Sequence, residues 1–251
     1  MAADAIEPDW PAPPNVRAFV STRAGGVSVG GYASLNVGAH VGDRPDAVAA
    51  NRRRLIATLG LPSEPRWLRQ VHGTQVVTLG HARDAEPTAD AAITREAGVV
   101  CCVQTADCLP VLLADRAGTI VGIAHAGWRG LAAGVVAATV AAMQVDPGAL
   151  VAWLGPAISQ PAYEVGAEVR DACIARDPGA AIAFAPNARG RWQADLYALA
   201  RRALAAAGVA AACGGGFCTY AESQRFFSHR RSAPCGRMAS LIWLAPEPAA
   251  S

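Results

Sequence analysis

Apolar residues crowd two short runs near the middle of the chain, Leu109–Ala114 and Ile120–Ala124, separated by the turn Asp115-Arg116-Ala117-Gly118. Continuous apolar runs of this length, bounded by turn residues, predict buried strands. Antiparallel pairing brings the start of the first beside the end of the second. Cys108 directly precedes the first run and His125 directly follows the second. The pattern therefore predicts a hairpin that carries a thiol and an imidazole at one rim of a sheet.

The same reading extends along the chain. Val16–Thr22 alternates as a strand, and Pro45 opens a helix through Leu59, with Val48, Leu55, Ile56 and Leu59 at helical spacing and Gly60 as its stop. Between them, Arg23–Asp43 holds six glycines (Gly25, Gly26, Gly30, Gly31, Gly38 and Gly42), too many for a regular element, so it reads as a long ordered loop of functional character. Trp67–Val71 and Gln75–Leu79 read as strands around the turn His72-Gly73-Thr74. Ala89–Thr94 and Gly98–Gln104 read as a further strand pair. Gly130–Gln144, Glu164–Arg176 and Gln193–Ala207 have helical periodicity, while Leu150–Leu154, Cys218–Tyr220, Phe226–Phe227 and Ser240–Leu244 read as strands. No repeat or linker divides the pattern. The expectation is one mixed α/β domain over residues 1–251, with a loose proline-rich leader over 1–15 and a tail over 245–251.

Composition narrows the function. The chain has 251 residues and a net charge of +2, so no broad basic face argues for nucleic acid or an anionic membrane. All 22 basic residues are arginine; with no lysine, Schiff-base chemistry and a P-loop lysine are excluded. Residues 1–15 lack the basic and apolar regions of a secretory signal, no apolar run is long enough to span a bilayer, and seven cysteines without a disulfide-like pattern suit a reducing compartment. The cytoplasm is the expected location. The interaction faces of the alanine-rich helices cannot be told from core, so no oligomeric state is read.

Three residues stand out chemically: His72 in QVHG, Cys108 in TADC and His125 in AHAGW, each beside small residues at an expected strand end. A thiolate and two imidazoles suit zinc, leaving a fourth coordination position open. The same atoms also suit a thiolate–imidazolium pair for nucleophilic attack, oriented by His72 or Asp107, and the two uses compete. Several groups could take an anion or line a pocket: Ser21 and Arg23 at the Gly25-Gly26 turn, Asn36 and His40 in the glycine-rich loop, Gln70, Arg129 at a helix start, and His229 and Arg230 in a basic loop. Trp128, Tyr32, Phe226 and Phe227 could stack on a flat ring; His81 reads as solvent-exposed, and Cys101, Cys102, Cys173 and Cys213 as small core residues.

The order of STRAGGVSVGGYASLN, HVGD, WLRQVHG, ADA, TADCLPVLLAD, AHAGWRG, LGPAI, YEVG, CT and FFSHRR resembles the YfiH family, also called polyphenol oxidase or laccase-domain proteins, over roughly residues 16–244. The resemblance implies a four-layer α/β/β/α fold similar to the catalytic domain of cytotoxic necrotizing factor. It implies that His72, Cys108 and His125 bind a catalytic zinc or copper. Implied activities are phosphorolysis of adenosine, inosine and methylthioadenosine with phosphate as partner, and deamination of adenosine; a cysteine-type amidase on a cell-wall nucleotide peptide and a weak copper-dependent polyphenol oxidase are the alternatives. A full multicopper oxidase is not expected: five histidines are too few for a trinuclear cluster plus a blue-copper site, and neither Met143 nor Met238 flanks the His–Cys pair.

Overall fold

The computed structural model describes residues 5–82 and 86–246. Along the chain come β1 (Ala5–Ile6), β2 (Val16–Ser21), α1 (Pro45–Leu59), β3 (Val76–Thr78), β4 (Ala91–Thr94), β5 (Cys101–Thr105), β6 (Leu109–Asp115) and β7 (Val121–Ala126). They are followed by α2 (Trp128–Ala133), α3 (Val135–Met143), β8 (Leu150–Leu154), β9 (Glu164–Val165), α4 (Ala167–Arg176), β10 (Phe184–Pro186), β11 (Trp192–Ala194), α5 (Leu196–Ala206), β12 (Ala211–Gly214) and β13 (Met238–Leu244).

Two sheets form the centre. One has four antiparallel strands in the order β1-β2-β13-β5; the other has six in the order β12-β8-β6-β7-β4-β3 and is mixed, with β12 parallel to β8 and β3 parallel to β4. Strand alternation distributes the apolar side chains over three layers of core. Val16, Ala18 and Val20 of β2 and Cys101 and Val103 of β5 meet Leu112, Val121, Ile123 and Trp153 of the larger sheet face to face. The opposite face of the larger sheet (Val111, Leu113, Ala124, Ala152) is covered by α2 to α5 through Leu131, Val136, Val140, Leu199 and Leu204. The outer face of the smaller sheet (Cys102, Leu241, Trp243) is covered by Leu55 of α1 with Leu35 and Val37. From one side to the other the order is helix, sheet, sheet, helices.

Local chemistry explains why the elements stop where they do. Pro45 sits in the first turn of α1, where its missing N–H costs nothing, and Gly60 ends it at φ 56 in the left-handed region that glycine tolerates. On the inner face of the same helix, fully buried Asn51 accepts from the Val27 N–H at 2.8 Å and donates to Ser28 Oγ, Ser34 O and Asn36 O at 2.9, 3.1 and 2.8 Å. One carboxamide thus orders the glycine-rich loop, which holds only a single 3₁₀ turn (Gly30–Tyr32).

Several expected elements differ. Ala89–Thr94 and Gly98–Gln104 do not pair with each other: β4 lies in the larger sheet and β5 in the smaller, because the chain crosses between sheets there. The helix expected over 130–144 starts earlier and breaks at Gly134, φ 100, into α2 and α3. The helices expected from Glu164 and Gln193 begin later, because Glu164–Val165 and Trp192–Ala194 join β10 in a small antiparallel sheet. Trp67–Val71 contributes only an isolated bridge at Arg69, 219–220 form a turn, and 226–227 have no regular structure. The expected loose leader includes β1, paired with β2, and Cys213 is half-buried in β12. Of the leader and tail, residues 1–4 and 247–251 lie outside the described residues, as do 83–85 beside His81. No helix among the described residues is long and apolar enough to cross a membrane.

Candidate metal centre and its cavity

The β6–β7 hairpin pairs Leu109 with Ala126 and Pro110 with His125, so Cys108, one residue before β6, comes level with the end of β7. His125 lies inside β7, one residue short of its end, where the expected strand had already stopped. Asp107, at φ 86, turns the chain into β6, and His72, at φ 61, sits in a turn ahead of β3. A non-glycine residue in this region is strained by about 1–3 kcal/mol and needs surroundings that hold it. At His72 those surroundings are a buried carboxylate. Asp90 accepts from three consecutive N–H groups, those of Val71, His72 and Gly73, at 3.1, 2.9 and 2.7 Å. It also faces His125 Nδ1 at 2.8 Å, and its own carbonyl accepts from the His125 N–H at 2.7 Å.

The result brings together the three residues singled out in sequence. One ligand atom each from His72, Cys108 and His125 lies within 4.8 Å of the others, the only such group of three among the described residues. Cys108 Sγ is 3.9 Å from His72 Nε2, and the two imidazoles meet edge to face with centroids 4.8 Å apart. Asp90 on Nδ1 fixes the His125 ring and leaves Nε2 for the centre, the usual carboxylate–histidine arrangement behind a metal ligand. Burial opposes charge on both partners, yet the His125 charge, with hydrogen bonds from both histidines, pulls the Cys108 thiol down, and the Cys108 thiolate with Asp90 pushes His125 up. For Asp90 itself burial works upward, and the His125, Gly73 and Val71 donors overcome it and lower the carboxyl. A thiol biased towards its thiolate, two imidazoles and an orienting carboxylate fit a zinc or copper ion with an open position.

Gly127 guards the geometry. A Cβ there would stand 2.8 Å from Cys108 Sγ and 3.4 Å from His72 Cδ2. Gly127→Ala is therefore expected to displace the thiol and weaken metal binding about tenfold or more, at the lower end of losses from misoriented ligands, with the far-ultraviolet circular dichroism unchanged. A competitive chelator titration reads this.

The trio opens on a cavity of about 460 Å³, a size suited to a small ligand. Its wall is rich in cationic groups. Arg129 stands over the Trp128 ring at 4.4 Å, with no carboxylate partner among the described residues. His229 and His40 are exposed at its edge, and Arg230 and Arg237 complete it. Asp107 is the carboxylate of this wall: Oδ1 accepts from Thr219 Oγ1 at 2.6 Å and Oδ2 from the Arg230 N–H at 2.7 Å, fixing the 229–230 loop over the opening. Arg230 also donates to Glu164 O at 2.7 Å.

Other residues singled out in sequence serve the scaffold. Ser21 is fully buried and its Oγ accepts from the Ala239 N–H at 2.9 Å. Arg23 donates to Ala33 O at 2.8 Å and Ser223 O at 3.0 Å and lies over Phe227. Both correct the expectation of an anion site at the Gly25-Gly26 turn: the hydroxyl and guanidinium close the backbone of the glycine-rich loop. Asn36 is fully buried; its Oδ1 accepts from the Arg237 N–H at 2.9 Å and supports the cavity from behind. Gln70 does line the cavity, with its carboxamide bound to the backbone of Gln104. Phe226 and Phe227 are core, and Tyr32 donates to Val41 O. Sequence reasoning missed Asp90, whose ADA motif lies beside a strand and gives a carboxylate among alanines as its only signal.

The chain is similar to known proteins along nearly its whole length. A family profile described as multi-copper polyphenol oxidoreductase laccase matches residues 17–245. A protein of Pseudomonas aeruginosa named purine nucleoside phosphorylase is 55% identical over 240 residues, covering 95% of this chain and 98% of its own. The purine nucleoside phosphorylase YfiH of Escherichia coli is 53% identical over 239 residues, with the same shares covered. Among solved structures, a Neisseria meningitidis protein superimposes with a TM-score of 0.93 at 52% identity, covering 96% of this chain and 99% of that one.

Proposed function

The chain belongs to the YfiH family, and from that premise we propose that it is a metal-dependent purine nucleoside phosphorylase acting on adenosine, inosine and methylthioadenosine. The observation that carries the reading is the His72–Cys108–His125 trio opening on a cavity whose rim bears arginines without carboxylate partners among the described residues. Arg129 and Arg230 hold inorganic phosphate, an anion that their forked donors match. The new bond forms between a phosphate oxygen and C1′ of the ribose, and the C1′–N9 bond breaks with its electron pair leaving on the purine. That charge needs neutralising. Desolvation and the Arg237 charge lower the pKa of His40 and disfavour its proton-carrying form, and His229 lines the same wall. His72, Cys108 and His125 hold the ion, which when bound supplies Lewis acidity towards the atom it touches.

Adenosine deamination in the same cavity stands second, because it needs a proton shuttle and both oxygens of Asp107 are already engaged. A cysteine-nucleophile amidase draws support from the lowered thiol of half-buried Cys108. One experiment separates these readings. Metal-loaded protein given inosine is expected to release hypoxanthine only when phosphate is present, with ribose 1-phosphate as co-product, and to stop on addition of a chelator. Release that is indifferent to phosphate overturns phosphorolysis. Amide hydrolysis that survives a chelator and ends on alkylation of Cys108 favours the amidase.

A further inference from the structure

Gln104 occupies the next-to-last position of β5, 4% exposed, in the wall of the cavity. Its backbone is anchored: the N–H donates to Gln70 Oε1 at 2.8 Å and the carbonyl accepts from Gln70 Nε2 at 2.9 Å. Its side chain is not. Oε1 is buried and has no donor among the described residues. Across the ladder stands Ala239, whose side chain has nothing to offer. Native interiors rarely leave a side-chain carbonyl in this state, so a donor from outside the chain, a water or the ligand that displaces it, is called for.

Phosphate is a poor candidate, since at neutral pH it presents mainly acceptor oxygens and the arginines already answer it. The partner must carry an N–H or O–H and suit a planar carboxamide. A purine does so along its N1/C6 edge, as a 6-amino donor beside the N1 acceptor or as a 6-oxo acceptor beside the N1–H donor. A carboxamide carries both a donor and an acceptor and can turn end for end to meet either arrangement. Thr105, next along the strand, also lines the cavity with an unpaired hydroxyl, but its single oxygen cannot meet two neighbouring atoms of a purine edge as a planar carboxamide does.

We propose that Gln104 is the specificity residue that reads the 6-position of the bound purine, and that its turning carboxamide lets one cavity accept both 6-amino and 6-oxo nucleosides. The inference rests on the phosphorylase reading and adds to it the group that recognises the base.

The test is calorimetric binding of adenosine, inosine and the purine riboside that lacks a 6-substituent, to metal-loaded protein. Wild type is expected to bind the first two at least about tenfold tighter than the third, the loss expected for an unmatched buried polar group. Gln104→Met keeps the length of the side chain and removes its polarity. It is expected to bring all three affinities within about threefold of one another, chiefly by weakening adenosine and inosine, with metal content unchanged. Gln104→Leu carries the same comparison should the methionine variant not fold. Equal weakening of all three ligands, or a wild type that does not tell them apart, overturns the role of Gln104 while leaving phosphorolysis standing. A wild type that binds none of the three, with or without phosphate, overturns the phosphorylase reading and this inference with it.

Discussion

Cys108→Ala is expected to empty the metal site and to lower phosphorolysis at least about a hundredfold. Structural zinc sites bind with about 10–16 kcal/mol shared among four ligands, so one ligand accounts for about 2.5–4 kcal/mol. The loss should exceed this in turnover, because the sulfur, held as thiolate, is the only anionic ligand the trio offers. The fold should survive: Cys108 is half-buried at a rim, and the apolar packing of β6 starts with Leu109. Elemental analysis of purified protein and initial rates with inosine read the two effects together. Unchanged metal stoichiometry in the variant would remove Cys108 from the ligand set.

Asp90→Asn is the second large effect, and it acts on both the site and the fold. The carboxylate is fully buried and takes hydrogen bonds from three backbone N–H groups and the His125 ring. An asparagine keeps one acceptor oxygen and turns an NH₂ towards donors, so at least one of these groups loses its partner. The expected cost is about 3 kcal/mol, or about 6–12 °C in Tm for a chain of this size. Metal affinity should fall about 10- to 100-fold, as when other carboxylates behind ligating histidines are removed. The pH dependence separates this from a general loss of packing. The Asp90 carboxyl is held below its ordinary value, so its contribution is full above about pH 4 and fades as pH falls through the lowered value. Wild-type and variant stabilities should therefore converge in acid. Denaturant melts from pH 3 to 7 test this; a constant difference across that range would refute the ionic role.

How much of this was legible depended on whether the determining forces were local. The bounds of α1 were readable because Pro45 and Gly60 set them through their own backbone preferences, and Leu150–Leu154 because a short apolar run between turns has few alternatives. The helices read over 164–176 and 193–207 overran β9 and β11 because such short strands exist only through pairing with β10 and with each other. No periodicity records that. The mistaken pairing of 89–94 with 98–104 has the same origin, since two adjacent strands look alike whether they share a sheet or part company. Within the site, His72, Cys108 and His125 announced themselves by residue type and position. Ser21, Arg23 and Asn36 misled because a hydroxyl, a guanidinium or an amide near glycines reads the same whether it closes backbone or meets a ligand. Asp90 and Gln104 were silent for the converse reason: their meaning lies in which partners they have, or lack.

The crossing from β5 to β6 is three residues long, Ala106-Asp107-Cys108, and it carries the chain from one sheet to the other. On its near side stands the amide aimed at the base; on its far side stand the sulfur and, across the hairpin, His125. The connector thus works as a gauge, setting the span between recognition and reaction by covalent geometry rather than by the slower compliance of two packed sheets. Asp107 locks that gauge by binding Thr219 and Arg230. Ligand choice in such a fold can drift through the outer loops while the span stays constant, whereas a change of length in this one connector alters the register between holding a nucleoside and cleaving it.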